Sequence, residues 1–413
     1  MVEKTQARKV ETQNLAYHEE GSTNKTSYLN MPQNTMPMCN MKRNSSFLLP
    51  LHSPFTIFAN RKLHCRTSHG SHTACLPEHV QTVQHKVRMT EKDNRRKVTA
   101  TGEMALDIVF KDDKPVDAVP GGSALNAVVS LARAGVGTSF VSATGNDYAG
   151  GRMLAFLEAE GVDVTQVEKT DGMRSTVSLA VLDSLNNASY TFYRDSMPLP
   201  YNGRPQPMGE GDILLLSSFH AVSPGTRHMT APLLEEARRA GAITVYDMNF
   251  RPAHKADLPH VMHNMEENMR LADIVRASTE DLETVFGLTD AAEAYRRHIS
   301  RLCRILVCTD GDRPVQVFAG SDVPMTFGVR QVETVSTIGA GDNYNAGMIY
   351  ALIRYGITRR HLTESPREVC WERIASHAAE FAADCCTHTG NSISRETGMR
   401  MRQATGQDDN RQQ

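Results

Sequence analysis

"GDILLLSSF", residues 211–219, is the stretch on which the fold turns. Ile213, Leu214, Leu215 and Leu216 run without a polar break between Gly211-Asp212 and a serine pair. A strand with one wet face alternates, so an unbroken apolar run of this length belongs to a sheet covered on both faces. Working outward, the pattern repeats. "APLLEEARRAG" (231–241) has helical spacing and a glycine stop, and "AITVYDMN" (242–249) is again extended. "LADIVRAS" (271–278) and "RILVCTD" (304–310) are two more strands. Toward the N-terminus, "KVTATGEMALDIVF" (97–110) reads as a strand, a turn at small residues and a second extended piece. "GSALNAVVSLARAG" (122–135) is a helix with Leu125, Val128, Val129 and Ala132 on one face and Gly135 as its stop. "TSFVSATG" (138–145) is a strand, and "AGGRMLAFLEAEG" (149–161) a helix closed by Gly161. Repeated strand–helix alternation predicts an α/β fold of three layers, α/β/α, around a mostly parallel sheet. "STVSLAVLD" and "ASYTFYR", with Asn186 and Asn187 between them, read instead as a hairpin. With residues 104–118 they predict a small separate β-sheet, a lid from about 104–118 and 175–194.

The 413 residues allow about one to three folding units. With 22% charged residues and a net charge of -2, no global field favours nucleic acid or an anionic membrane. No run of about 18 apolar residues marks a membrane span. The 8 cysteines lack a regular framework, and nothing at the start resembles a signal peptide, so reduced thiols and a cytoplasmic location are expected. Residues 1–95 show no sustained periodicity, and their apolar island "FLLPLHSPFTIFA" is broken by Pro50, His52 and Pro54. They are expected to be a disordered extension, with a targeting peptide or an upstream extension before Met89 as the other readings. The spacing of His64, Cys65, His69, His72 and Cys75 matches no paired zinc-ligand pattern. Residues 399–413 form a polar C-terminal tail, leaving 96–398 as the working domain.

"ETVSTIGAGDNYNAGMIYAL" (333–352) carries the chemistry. "VETVST" reads as the end of a strand and "GDNYNAGMIYAL" as a helix. The turn between them offers the N–H groups of Gly339, Ala340 and Gly341 at a helix N-terminus, where anions such as phosphates are attracted. Asp342 in that turn is either a helix-capping acid or a base that takes a hydroxyl proton while the N–H groups hold a transferring phosphoryl group. No phosphate-binding loop with G-x4-G-K-[ST] is present, and no G-x-G-x-x-G opens the first helix. Gly121 and Gly122 precede a helix carrying Asn126, and Asp107 follows the strand at "GEMALD". Singly these are turns and a solvated acid; together they suit a pocket for several sugar hydroxyls.

"PGGSALNAVVSLARAG" and "STIGAGDNYNAG" resemble, in order and separation, the two signatures of the ribokinase/PfkB carbohydrate kinase family. "GNDYAGG", "VYDMNFRP", "ADIVRASTEDLETVFG" and "LVCTDGD" are similar to four further landmarks, so the resemblance covers about residues 96–395. It implies a ribokinase-like fold and ATP-dependent phosphorylation of a sugar hydroxyl. By the same resemblance Asp342 is the general base and Gly339, Ala340 and Gly341 the anion hole. Asp107, Gly121, Gly122 and Asn126 hold the sugar, with Arg194 reaching it from the lid. Asn249, Arg251, Ser278, Thr309 and Gly311 serve the nucleotide. Mg2+ accompanies ATP mostly through water, with Asp281 as its supporting carboxylate.

Three departures stand out. Ser336 replaces the acid that often heads the second signature, which leaves monovalent-cation activation doubtful. Ser278-Thr279-Glu280-Asp281 replaces N-x-x-E, and Pro314 takes the second glycine position of T-x-G-x-x-G. Within the family a fructokinase-like member is expected, with 2-keto-3-deoxygluconate kinase, then ribokinase and nucleoside kinase, as alternatives. A weak sugar- or nucleotide-binding regulator is the reading from another class. Whether the lid pairs two chains into a homodimer is left open.

Overall fold

The computed structural model describes residues 96–183, 188–195 and 201–409. The extension 1–95 with its zinc candidates, the Asn186-Asn187 turn and residues 410–413 lie outside the described residues. The strands among the described residues are β1 (Lys97–Thr101), β2 (Ala105–Lys111), β3 (Lys114–Gly121), β4 (Gly137–Gly145), β5 (Asp163–Thr170), β6 (Val177–Leu182) and β7 (Ala188–Tyr193), followed by β8 (Ile213–Ser217), β9 (Ile243–Asp247), β10 (Ile274–Ser278), β11 (Ile305–Asp310), β12 (Arg313–Ala319) and β13 (Met325–Phe327). The longer helices are α1 (Ser123–Arg133), α2 (Tyr148–Ala159), α3 (Arg227–Ala240), α4 (Leu258–Leu271), α5 (Thr279–Phe286), α6 (Ala340–Arg354), α7 (Trp371–Cys386) and α8 (Arg395–Asp409).

Nine strands form the main sheet in the order β13-β12-β11-β10-β9-β8-β1-β4-β5. From β11 to β5 every neighbour is parallel, and β12 alone is reversed, pairing antiparallel with both β11 and β13. The run that suggested a doubly covered sheet is β8. Its Ile213 and Leu215 face one core with Ile243, Val245, Ile274, Ile305 and Val307. Its Leu214 and Leu216 face the other with Tyr246, Val275, Leu306 and Cys308. Helices α1, α6 and α7 cover the first face, α3 and α4 the second. That is the three-layer α/β/α arrangement. A second sheet, β3-β2-β6-β7, rises from the ends of β1 and α1 as the lid. Its β6 and β7 pair antiparallel, as the hairpin reading required. No helix among the described residues is long and apolar enough to cross a membrane.

Two local expectations need correction. Residues 332–337, "VETVST", are not the end of a strand. The segment is mostly exposed and lies beside no other strand; instead the N–H groups of Val335 and Ser336 donate to the Cys386 carbonyl at the end of α7. The polar C-terminal stretch is not separate from the domain at 398 either. Helix α8 crosses that boundary, with Met401 buried and its carbonyl accepting from the Tyr350 hydroxyl.

Candidate active site

The strand faces that pack under α6 turn polar at their carboxyl ends. Ile213-Leu215 leads to Ser217, Ile243-Val245 to Asp247, Ile274 to Arg276 and Ile305-Val307 to Thr309. Register puts Ser217 opposite Asp247 and Asp247 opposite Arg276, so these side chains form one row across the sheet. Asp247 Oδ1 accepts from Arg276 Nη1 at 3.1 Å, and its Oδ2 from Ser217 Oγ at 3.0 Å and Asn345 Nδ2 at 2.9 Å. Arg276 Nη2 donates to Thr309 Oγ1 at 2.7 Å. Burial pushes the Asp247 carboxyl up to about 6 against the pull of Arg276. Burial works against the Arg276 charge, but Asp247, Asp281 and Asp342 outweigh it and raise its pKa. Ser218 and Asn249, just past β8 and β9, have φ of 63 and 34. Left-handed backbone at non-glycine residues is strained, and such strain gathers at functional sites.

Helix α6 begins above this row. Gly339 is its N-cap at φ 78, and Asp342 lies buried in the first turn. Asp342 Oδ1 accepts from Ser123 Oγ at 2.6 Å and Oδ2 from Asn126 Nδ2 at 2.8 Å, both from α1. The side chain therefore does not cap its own helix. The Ala340 N–H donates to Thr337 O at 3.3 Å. The N–H groups of Gly339 and Gly341 have no acceptor among the described residues. A Cβ on Gly341 would lie 2.9 Å from Arg276 Nη2, so the turn rests directly on the guanidinium. Ser336 folds back on its own loop, its Oγ accepting from Ile338 N.

Asp107 does not follow a strand; it lies within lid strand β2, opposite Ser178 of β6. It is buried and accepts from Ser178 Oγ at 2.5 Å. Burial pushes its carboxyl up to about 6, against that hydrogen bond. A Cβ at Gly121 would sit 2.2 Å from Asp107 Oδ2, and one at Gly122 2.2 Å from Glu103 O. The pair is glycine because no side chain fits between lid and helix. Arg194, just past β7, is exposed and lies 6.0 Å from the Phe219 ring, which stacks on His254 at 4.0 Å. Burial, then Arg194, hold the His254 imidazole below its usual range.

On the nucleotide side the assignments separate. Thr309 joins the polar row, and buried Asn249 follows β9. Arg251 is exposed, and Gly311 sits in the exposed turn between β11 and β12 at φ 58. Ser278 caps α5 in a box with Asp281. Asp281 Oδ2 accepts from Ser278 N and Oγ, each at 2.7 Å, and Oδ1 from Phe250 N at 2.7 Å. Both oxygens thus hold backbone, and Asp281 positions a helix start and the loop after β9. Among the described residues no group of three His, Cys, Asp or Glu side chains could hold a metal ion. Beyond these residues a groove of about 690 Å³ lies between β13 and α7, lined by Phe327, Arg330, Ser376, Ala379 and Glu380 among others. Ser123, Ser178, Ser217, Asp247, Arg276 and Asn345 were not singled out from sequence. Four of them were within reach of it, since Ser217, Asp247, Arg276 and Ser123 stand at the ends of apolar runs or at a helix start.

Comparison with known proteins identifies the family and the fold. Residues 95–397 match the model of the pfkB family carbohydrate kinases. The fructokinase of Klebsiella pneumoniae is 28% identical over 264 residues, which is 63% of this chain and 86% of that protein. Fructokinase from Vibrio cholerae O395, solved in its fructose-, ADP- and calcium-bound form, superposes with a TM-score of 0.63 at 20% identity, over 75% of this chain and 99% of that one. Aminoimidazole riboside kinase from Salmonella enterica, solved with aminoimidazole riboside and an ATP analogue, gives 0.62 at 22% identity over 74% and 99%. The two structures share the fold, and the family match spans both the lid and the polar row: the chain belongs to the pfkB family of carbohydrate kinases and is a sugar kinase.

Proposed function

We propose that the chain transfers the γ-phosphoryl group of ATP to a hydroxyl of fructose, with Asp342 as general base. One observation carries the reading: a buried carboxylate in the first turn of α6, beside two N–H groups without acceptors and over the Arg276 guanidinium. Ser123 and Asn126 hold Asp342 by one donor on each oxygen. That leaves each oxygen lone-pair capacity for a substrate hydroxyl. As the hydroxyl attacks phosphorus, its proton passes to Asp342 and the bond to the leaving ADP oxygen breaks. Charge on the transferring group falls beside the Gly339-Ala340-Gly341 turn, whose free N–H groups point along the positive end of the helix. Asp107, Gly121, Gly122 and Asn126 hold the sugar, and Arg194 closes over it beside Phe219. Thr309, Asn249, Arg251, Ser278 and Gly311 flank the nucleotide. Mg2+ is expected to arrive on the phosphates of ATP; Asp281 is engaged elsewhere, and no step above depends on the metal.

Fructose is favoured because the similar proteins of Klebsiella pneumoniae and Salmonella typhimurium are fructokinases, and because the sugar-side signature is intact. Coupled ADP release over fructose, ribose, 2-keto-3-deoxygluconate, tagatose phosphate and adenosine tests the choice. Fructose should give the highest kcat/KM, with little gain from potassium, since Ser336 is turned into its own loop. Background rates on fructose beside turnover of another acceptor would remove it. The proposal extends to a homodimer through the lid, supported by the exposed apolar side chains Val116, Val181 and Tyr193 on lid strands. Sedimentation should give a dimer that Tyr193→Asp weakens; a monomer at micromolar concentration would end that part.

A further inference from the structure

Asp342 and Asp247 are joined by an unbroken line of oxygens. Asp342 Oδ1 meets Ser123 Oγ at 2.6 Å, Ser123 Oγ meets Ser217 Oγ at 2.6 Å, and Ser217 Oγ meets Asp247 Oδ2 at 3.0 Å. Each link between two oxygens at such a distance needs a proton between them. Three links need three protons, and two serine hydroxyls carry only two. Asn126 Nδ2 and Asn345 Nδ2 donate to the two carboxyls at the ends of the line, not within it. The third proton therefore belongs to a carboxyl. Two arrangements satisfy every link. In one, Asp247 donates to Ser217, Ser217 to Ser123 and Ser123 to ionised Asp342. In the other every donation is reversed, Asp342 holds the proton and Asp247 is ionised. A shift of three protons along their own hydrogen bonds converts one into the other, with no heavy atom moving and no charge gained or lost.

We infer that Asp247 is a positioning residue that shares one proton with Asp342 through Ser123 and Ser217, so that protonation of the base is a property of the pair. The inference rests on the reading of Asp342 as the base. The charged groups facing Asp247 are Arg276 from β10, Asp281 from α5 and Asp342 from α6. Three carboxylates around one guanidinium leave a buried excess of negative charge, which one shared proton reduces. The other titratable neighbours stay neutral: burial pushes the Cys308 thiol up to about 12 and raises the Cys385 thiol, which faces Asp342, and the Tyr246 and Tyr344 phenols. Burial favours the proton at Asp247 and outweighs the opposing pull of Arg276 on Oδ1, so the proton rests at the Asp247 end and reaches Asp342 only by passing along the line. As pH falls and the proton enters at the Asp247 end near 6, the share of it passed along the line neutralises the base and turnover falls.

The test is kcat against pH for wild type, Ser217→Ala, Ser217→Thr and Asp247→Asn, each scaled to its own plateau. Wild type should lose activity on the acid side with a midpoint near 6. Ser217→Ala cuts the line, and Asp247→Asn fills the third position with an amide proton that does not titrate. Both should move the acid limb at least one pH unit lower. Ser217→Thr keeps the hydroxyl and should restore the wild-type midpoint, which a purely structural role would not predict. If all four share one midpoint while only plateaus change, the sharing is refuted. Should Asp247→Asn fail to fold, the two Ser217 variants decide alone. Asp342→Asn separates the two readings: if it abolishes turnover and the limbs coincide, the base stands and only the sharing falls.

Discussion

Asp342→Asn is expected to lower kcat by about 10²-fold or more, the scale of a lost general base, while sugar affinity stays within about two-fold. The amide has nearly the shape of the carboxylate and still offers an acceptor to Ser123 or Asn126. It has no lone pair basic enough to take a hydroxyl proton as phosphorus is attacked. In the proposed reading binding draws chiefly on Asp107 and Gly121 of the lid side, which the change does not touch, so the loss should fall on kcat and not on KM. Steady-state kinetics and calorimetric titration with the sugar measure the two separately. Turnover near the wild-type rate would show that Asp342 is a structural acid and the base lies elsewhere.

Asp107→Ala should have its largest effect on the other substrate. A buried carboxylate that accepts from sugar hydroxyls contributes about 1.5–3 kcal/mol through charge-assisted hydrogen bonds, so the sugar KM should rise roughly 10- to 100-fold. The ATP KM should stay within about two-fold. The wild-type sugar KM should itself rise as pH falls through about 6. Burial raises the Asp107 pKa to that value, so the accepting, ionised form is present above it and lost below it. The alanine variant should lack that rise. Equal effects on both substrates would instead mean that the lid had been disordered, because Asp107 also ties β2 to Ser178 on β6.

How much of this could be read from the sequence differs between the sheet and the site. The run Ile213–Leu216 is apolar on both faces because both faces are covered, so the layer order follows from composition alone. The Gly339–Asp342 turn and the Gly121-Gly122 pair were visible for a similar reason: small residues beside a polar one mark a place where backbone is approached closely. Ser217, Asp247 and Arg276 were harder. Ser217 and Asp247 are single polar letters at the ends of buried strands and Arg276 one in the middle of another, and only the register between β8, β9 and β10 makes them a row. Asp281 is ambiguous for the opposite reason. A carboxylate at a helix start looks the same in sequence whether it faces a phosphate or caps the helix. "VETVST" has strand-forming residues, but it lies beside no other strand and is used instead to tie the turn before α6 to the end of α7.

The strands under α6 divide their length between two tasks, and that division separates two kinds of tolerance. At Val245 or Leu215 a change of shape is felt as lost packing, and the chemistry is untouched until the domain loosens. Two residues further on, at Asp247 or Ser217, the demand is reversed: the site keeps a buried ion pair and bare hydroxyls where hydrocarbon would pack more stably. Selection for heat resistance alone would therefore press first on Ser217 and Asp247, where the sheet would gain stability at the expense of the polar row.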